Sequence, residues 1–165
     1  MLSQILLTLC LSPLGDGSST VPTKRDGWHL ERHNSINQIV ESKKGEVDVV
    51  FIGDSITQGW EGAGTKAWND LFLSFRPVNL GISGDRTEHL LWRFDSGNLE
   101  GIDPKVAVIM IGTNNFGYQK DTAEEVYNGV VAVVKALRAK EPQIHVLLLD
   151  IFPRGKTFNQ MRGQI

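Results

Sequence analysis

The sequence predicts an α/β fold built on a doubly wound, parallel sheet. Three observations carry that expectation. Four short apolar runs are spread along the chain, amphipathic helical patterns fill the gaps between them, and polar segments rich in glycine follow directly after three of the runs. Sheets of this kind place their sites beyond the carboxyl ends of the strands, so reactive side chains belong just after the apolar runs.

The elements follow in order. Residues 2–14 (LSQILLTLCLSPL) are apolar, and residues 15–20 read as a linker. Two readings of this N-terminal segment stay open: the core of an export signal, which makes the protein secreted or periplasmic, or an apolar helix packed on the body of a cytoplasmic protein. Against the signal, no Lys or Arg precedes the run, no A-x-A site follows it, and Leu9 rather than a small residue precedes Cys10. The segment 1–20 is therefore set apart from a single domain over 21–165.

A helix is expected over 26–42, with Trp28, Ile36, Ile39 and Val40 among charged residues. The run 47–52 (VDVVFI) reads as a strand buried on both faces, as do 106–111 (VAVIMI) and 144–151 (IHVLLLDI). The run 78–82 (VNLGI) is shorter and more polar, as an edge strand is. Helical patterns at 65–75, 85–94 and 122–140 separate the runs, and Glu141-Pro142 ends the last one.

Composition narrows the function. The 165 residues carry 17 Lys and Arg against 19 Asp and Glu, without a long run of either sign, so nucleic-acid binding has no basic face to rest on. One cysteine, Cys10, excludes an internal disulfide. No apolar stretch reaches the roughly 20 residues of a membrane span.

Three loops carry candidate chemistry. After the first run comes Gly53-Asp54-Ser55-Ile56-Thr57-Gln58-Gly59, where Ser55 stands at a strand end and at the start of a helix that favours developing negative charge. The plain alternative is that Ser55 and Thr57 only cap that helix. After the second run, Gly81 offers a backbone N–H for an oxyanion; the alternative is an ordinary turn with Ser83 or Asp85 as helix cap. After the third come Gly112-Thr113-Asn114-Asn115, where an Asn amide can donate to an oxyanion or bond its own backbone.

Taken together, these blocks resemble the SGNH, or GDSL-type, hydrolase family. GDSITQG matches its first block and implies Ser55 as nucleophile, NLGISGDRT its second with Gly81 as backbone donor, and GTNN its third with Asn114 as side-chain donor. Asn115 stands where Asp is commoner. The wording of FIGDSITQGW, NLGISGDRTEHLLWR and VAVIMIGTNN is similar to the platelet-activating-factor acetylhydrolase-like branch. The resemblance implies a three-layer α/β/α sandwich with a parallel, flavodoxin-like sheet, and hydrolysis of a small acyl ester, acetyl-like, with no metal or organic cofactor.

The family's last block, Asp-x-x-His, has no counterpart here. By resemblance it belongs beyond residue 165, together with a fifth strand and a last helix. Of the four histidines, His145 falls at the wrong end of the fourth strand, and His29 and His33 precede the sheet. Those two form His-x-Glu-x-His, which is not the zinc-peptidase spacing, and packing is the plainer reading. His89 is the one local candidate base, without family precedent. The chain as given is therefore expected to turn over weakly or not at all. It is also expected to self-associate along 144–151, an apolar sheet edge. Two alternatives stand beside the esterase: a member without turnover that binds ligands, and an FMN-binding flavodoxin-like module, although the phosphate-loop patterns are absent.

Overall fold

Each of the four apolar runs contributes a strand to one parallel sheet in the computed structural model, which describes residues 18–119 and 121–153. The apolar segment 2–14 lies outside the described residues, so the two readings of the N-terminus are not addressed by the fold. The strands are β1 (Val49–Gly53), β2 (Pro77–Asn79), β3 (Val106–Met110) and β4 (His145–Leu148), in the spatial order β2-β1-β3-β4. Val50 is in register with Val78 on one side and Ala107 on the other, and Val108 with Leu147. The short second run is an edge strand, as its polarity predicts.

Among the described residues five α-helices flank the sheet: α1 (Trp28–Ser42), α2 (Ser55–Gln58), α3 (Thr65–Leu71), α4 (Thr87–Asp95) and α5 (Ala123–Lys140). The pattern expected as one helix over 65–75 divides into α3 and a 3-10 turn, Leu73–Phe75. Alternation along each strand sorts its side chains between two faces. Val50, Ile52, Ala107 and Ile109 pack with Ile36 and Val40 of α1, Leu90 and Phe94 of α4, and Val133 and Leu137 of α5, forming the main core. On the other face Phe51 meets the rings of Trp68 and Phe72 at 4.9 and 5.1 Å, so α3 supplies the third layer over β1. Helix α5 is closed at its start by a capping box between Thr122 and Glu125, and Arg138 and Lys140 complement its last turn.

One expectation needs correction. The run 144–151 reads as a strand buried on both faces, yet Leu147 is 54% and Leu148 48% exposed. The reason is its place in the sheet. Among the described residues β4 pairs with β3 alone, and clefts open on both of its faces. An apolar cleft of about 330 Å³ opens there, lined by Val108, Met110, Leu147, Leu149 and Phe152 together with Ile56 of α2.

Candidate active site

The first loop is built by sterics and one carboxylate. A Cβ on Gly53 would lie 2.2 Å from Thr57 Oγ1 and 2.4 Å from the Met110 carbonyl, so only glycine lets β1 turn directly into α2. Asp54, buried, caps α2 by accepting the Ile56 N–H at 2.9 Å. Ser55 is the first residue of the helix and is exposed, whereas Thr57 is buried. The capping role falls to Asp54, not to Ser55 or Thr57, and the serine hydroxyl is left facing solvent at the carboxyl end of β1.

The second loop is fastened onto α2. Asn79 Nδ2 donates to the Thr57 carbonyl at 2.9 Å, and Gln58 Oε1 accepts the Ser83 N–H at 2.7 Å. A Cβ on Gly81 would lie 2.3 Å from Gln58 N, so glycine is required for the loop to reach the helix backbone. The Gly81 N–H is not free, as the sequence reading has it: it donates to Asn79 Oδ1 at 2.8 Å. Three residues on, the N–H of Gly84 has no acceptor among the described residues. The helix cap is neither Ser83 nor Asp85 but Arg86, at the entrance of α4.

The third loop reaches across to the other two. Asn114 Nδ2 donates to the Asp85 carbonyl at 2.9 Å and faces Asp54 Oδ2 at 3.4 Å. Asn115, fully buried, accepts the Thr87 N–H at 3.1 Å, and its Nδ2 points at Asp121 Oδ2 (3.0 Å) and Glu88 Oε2 (3.2 Å). Neither Asn makes a local turn with its own backbone. The pairing also explains an amide where the family commonly has a carboxylate. Asn115 is a donor set between two acidic side chains, and an Asp there would add a third anion. Burial raises the Asp121 pKa; the Asn115 hydrogen bond opposes this, while Glu125 and Glu88 add to it.

The four histidines stand apart from this arrangement. His145 begins β4, at the opposite end of the sheet. His33 is buried on α1, 3.0 Å from the Ser96 carbonyl and 4.8 Å from the Trp92 ring. His29 stacks on Trp28 with centroids 3.7 Å apart. The first helical turn of α4 contains His89, but both its nitrogens are turned to Arg86: Nδ1 accepts the Arg86 N–H at 3.0 Å, and Nε2 lies 3.3 Å from Arg86 Nη2. Burial, then the charges of Arg86 and Arg25, push its pKa down to about 3. The ring is thus neutral at pH 7, and its 3.7 Å approach to Asp85 Oδ1 is no ion pair there. Among the described residues no group of His, Cys, Asp and Glu is set to hold a metal ion.

The serine and both proposed donor loops therefore do gather at the carboxyl ends of β1, β2 and β3. Sequence reasoning missed the residues that hold them: Asp54, Asn79, Gln58, Asp85 and Arg93. Only Asn79 carried a local signal, since Asn-x-Gly favours a side-chain bond to the N–H two residues on.

Comparison with known proteins identifies the family of the fold. The GDSL-like Lipase/Acylhydrolase family model matches residues 51–164. The alpha1 subunit of platelet-activating factor acetylhydrolase IB from Pongo abelii is 41% identical over 137 residues, which are 83% of this chain and 56% of that protein. The chain thus spans about half the length of the curated relatives it matches. Among solved structures, a Streptococcus pneumonia protein provisionally described as a platelet activating factor superimposes with a TM-score of 0.59 at 27% identity, covering 78% of this chain and 59% of that one. A GDSL-like lipase from Bacteroides thetaiotaomicron gives 0.52 at 26% identity, covering 72% and 56%.

Proposed function

The chain belongs to the GDSL-like lipase/acylhydrolase family, and from that premise we propose that its strand-end site is a serine esterase site for a small acyl ester, acetyl-like, with Ser55 as nucleophile. The observation that carries the reading is an exposed serine at the head of α2, next to the Asp54 that the Asn114 amide faces while it holds the Asp85 carbonyl. Ser55 Oγ attacks the ester carbonyl while its proton passes to a base. The alkoxide leaves with that proton, and water then cleaves the acyl-serine by the same route.

The negative oxygen formed in each step needs donors. Asn114 Nδ2 supplies one, since its 3.4 Å approach to Asp54 is the weaker of its two bonds and is the one an oxyanion would replace. For the backbone donor, Gly81 would have to give up Asn79, whereas Gly84 in the same loop has an N–H without a competing acceptor among the described residues. We assign the backbone role to Gly84, and to Gly81 the close packing of the loop on α2. The base comes from outside the described residues, as the family's Asp-x-x-His block would provide it. The acetyl preference follows the name borne by the acetylhydrolase relatives.

Asn114→Ala tests the reading. In a chain extended by the family's last block, it lowers turnover of p-nitrophenyl acetate by about two to three powers of ten. An effect confined to KM would make Asn114 a substrate-binding residue instead. One observation favours a second reading, ligand binding without turnover: His89 is neutral and committed to Arg86, so no described histidine is set to act as base.

A further inference from the structure

Arg93 lies two turns into α4, 3% exposed, and reaches back beneath the loop that follows β2. Its Nη2 donates to the Leu80 carbonyl, where that loop begins. Its Nη1 donates to Asp85 Oδ2 at 2.6 Å, where the loop ends, and its Nε is fixed by Asn98 Oδ1 at 2.7 Å. The planar guanidinium can hold two acceptors at a set spacing, which the single ammonium of lysine cannot. Arg25 takes the other Asp85 oxygen at 3.1 Å and the Ser83 carbonyl at 3.1 Å, from a partly exposed position. Burial draws the Arg93 pKa down and Asp85 opposes it, so carboxylate and guanidinium are each other's compensation for leaving water. The main-chain carbonyl of this same Asp85 accepts from Asn114.

We propose that Arg93 is a positioning residue for the oxyanion donors: by gripping both ends of the Leu80-to-Asp85 loop it sets the Asp85 carbonyl, and through it the Asn114 amide, beside the Ser55 helix. The proposal rests on Asn114 being an oxyanion donor, but it concerns an orientation that can be read without turnover. An arginine that only neutralised Asp85 would leave Asn114 where it is when lysine replaced it, because the charge would remain.

The test is NMR on the 165-residue protein, following the Asn114 side-chain NH2 in wild type, Arg93→Lys and Asp85→Asn. Asp85→Asn keeps the carbonyl that Asn114 uses and weakens the grip of Arg93. The expected result is a shifted Asn114 NH2 pair, exchanging with solvent on the order of tenfold faster in both variants. The backbone amides of Val50 in β1 and Val108 in β3, held in the sheet ladder, stay unchanged. An Asn114 signal and exchange rate as in wild type overturns the proposal. Equal changes at Val50 and Val108 overturn it too, since the role would then be general stability. If Arg93→Lys does not fold, Asp85→Asn decides by the same criteria. Failure here leaves the esterase reading standing, because that reading falls only with the turnover of the Asn114 and Ser55 variants.

Discussion

The turns after β1 and β2 and the outer strand β4 are held by opposite means. Around the first two strands, buried side chains fix the backbone: Asp54 caps α2, Asn79 and Gln58 bind the second loop to it, and Arg93 spans that loop. Along β4 and just after it, three successive leucines stand at the surface, with one neighbouring strand among the described residues and open clefts on both faces. Geometry for chemistry needs directional bonds with few alternatives, and buried polar networks supply them. An apolar edge specifies only that something apolar should cover it. The site is rigidly defined in its serine-bearing half and open where β4 approaches Ile56.

The contrast is most strongly tested at Asn115. Asn115→Asp places a third carboxylate against Glu88 and Asp121 and removes their donor, at a cost of about 2–4 kcal/mol near neutral pH. Asp121 has its folded pKa raised above the unfolded one, burial being the first cause, and a new carboxylate beside it raises it further. Its stabilising, protonated form is fully present below about pH 4 and is lost as pH rises through the folded value. Denaturant melts should therefore show the gap from wild type widest at pH 7 and narrowing toward pH 4. A gap that does not depend on pH would mean the amide is not a donor between acids.

A smaller effect separates the halves by acid. His33 and His89 have lowered pKa values, burial being the first cause in both, with His89 at about 3. In the unfolded chain each takes a proton near pH 6.5, and in the folded chain only at lower pH, for His89 at about 3. Their contribution is thus complete above about pH 6.5 and is lost as pH falls below it, for His89 toward pH 3. The melting temperature should drop between pH 7 and pH 4, and His89→Gln should remove part of that slope. An unchanged slope would show that the ring is already exposed to solvent.

The smallest expected effect lies at the open edge. Leu148→Lys puts a charge where the leucine is half exposed, costing under about 1 kcal/mol, and should suppress self-association of the 165-residue protein in light scattering. A wild-type protein that is already monodisperse would show that the edge is protected.

Much of this was legible in the sequence. Strand runs, helix periods and the rule that sites follow strands brought Ser55, Gly81 and Asn114 to one end of the sheet before any coordinates. What stayed hidden depended on contacts between distant residues. Nothing local in Gly81 says that its loop is pressed onto Gln58, and nothing in the α4 pattern says that Arg93 turns inward. The apolar content of 144–151 signalled burial, but burial is a property of neighbours, and β4 has them on one side among the described residues.

The central claim is that Ser55 is the reacting atom's residue, and hydrolysis of p-nitrophenyl acetate tests it most directly. The comparison is between the chain extended through the family's Asp-x-x-His block, its Ser55→Ala variant, and the 165-residue protein. The account predicts turnover in the extended chain, a fall to the solvent background in Ser55→Ala, and little above background in the 165-residue protein, whose four histidines all lie away from the serine or are bound elsewhere. Undiminished turnover in Ser55→Ala would contradict it.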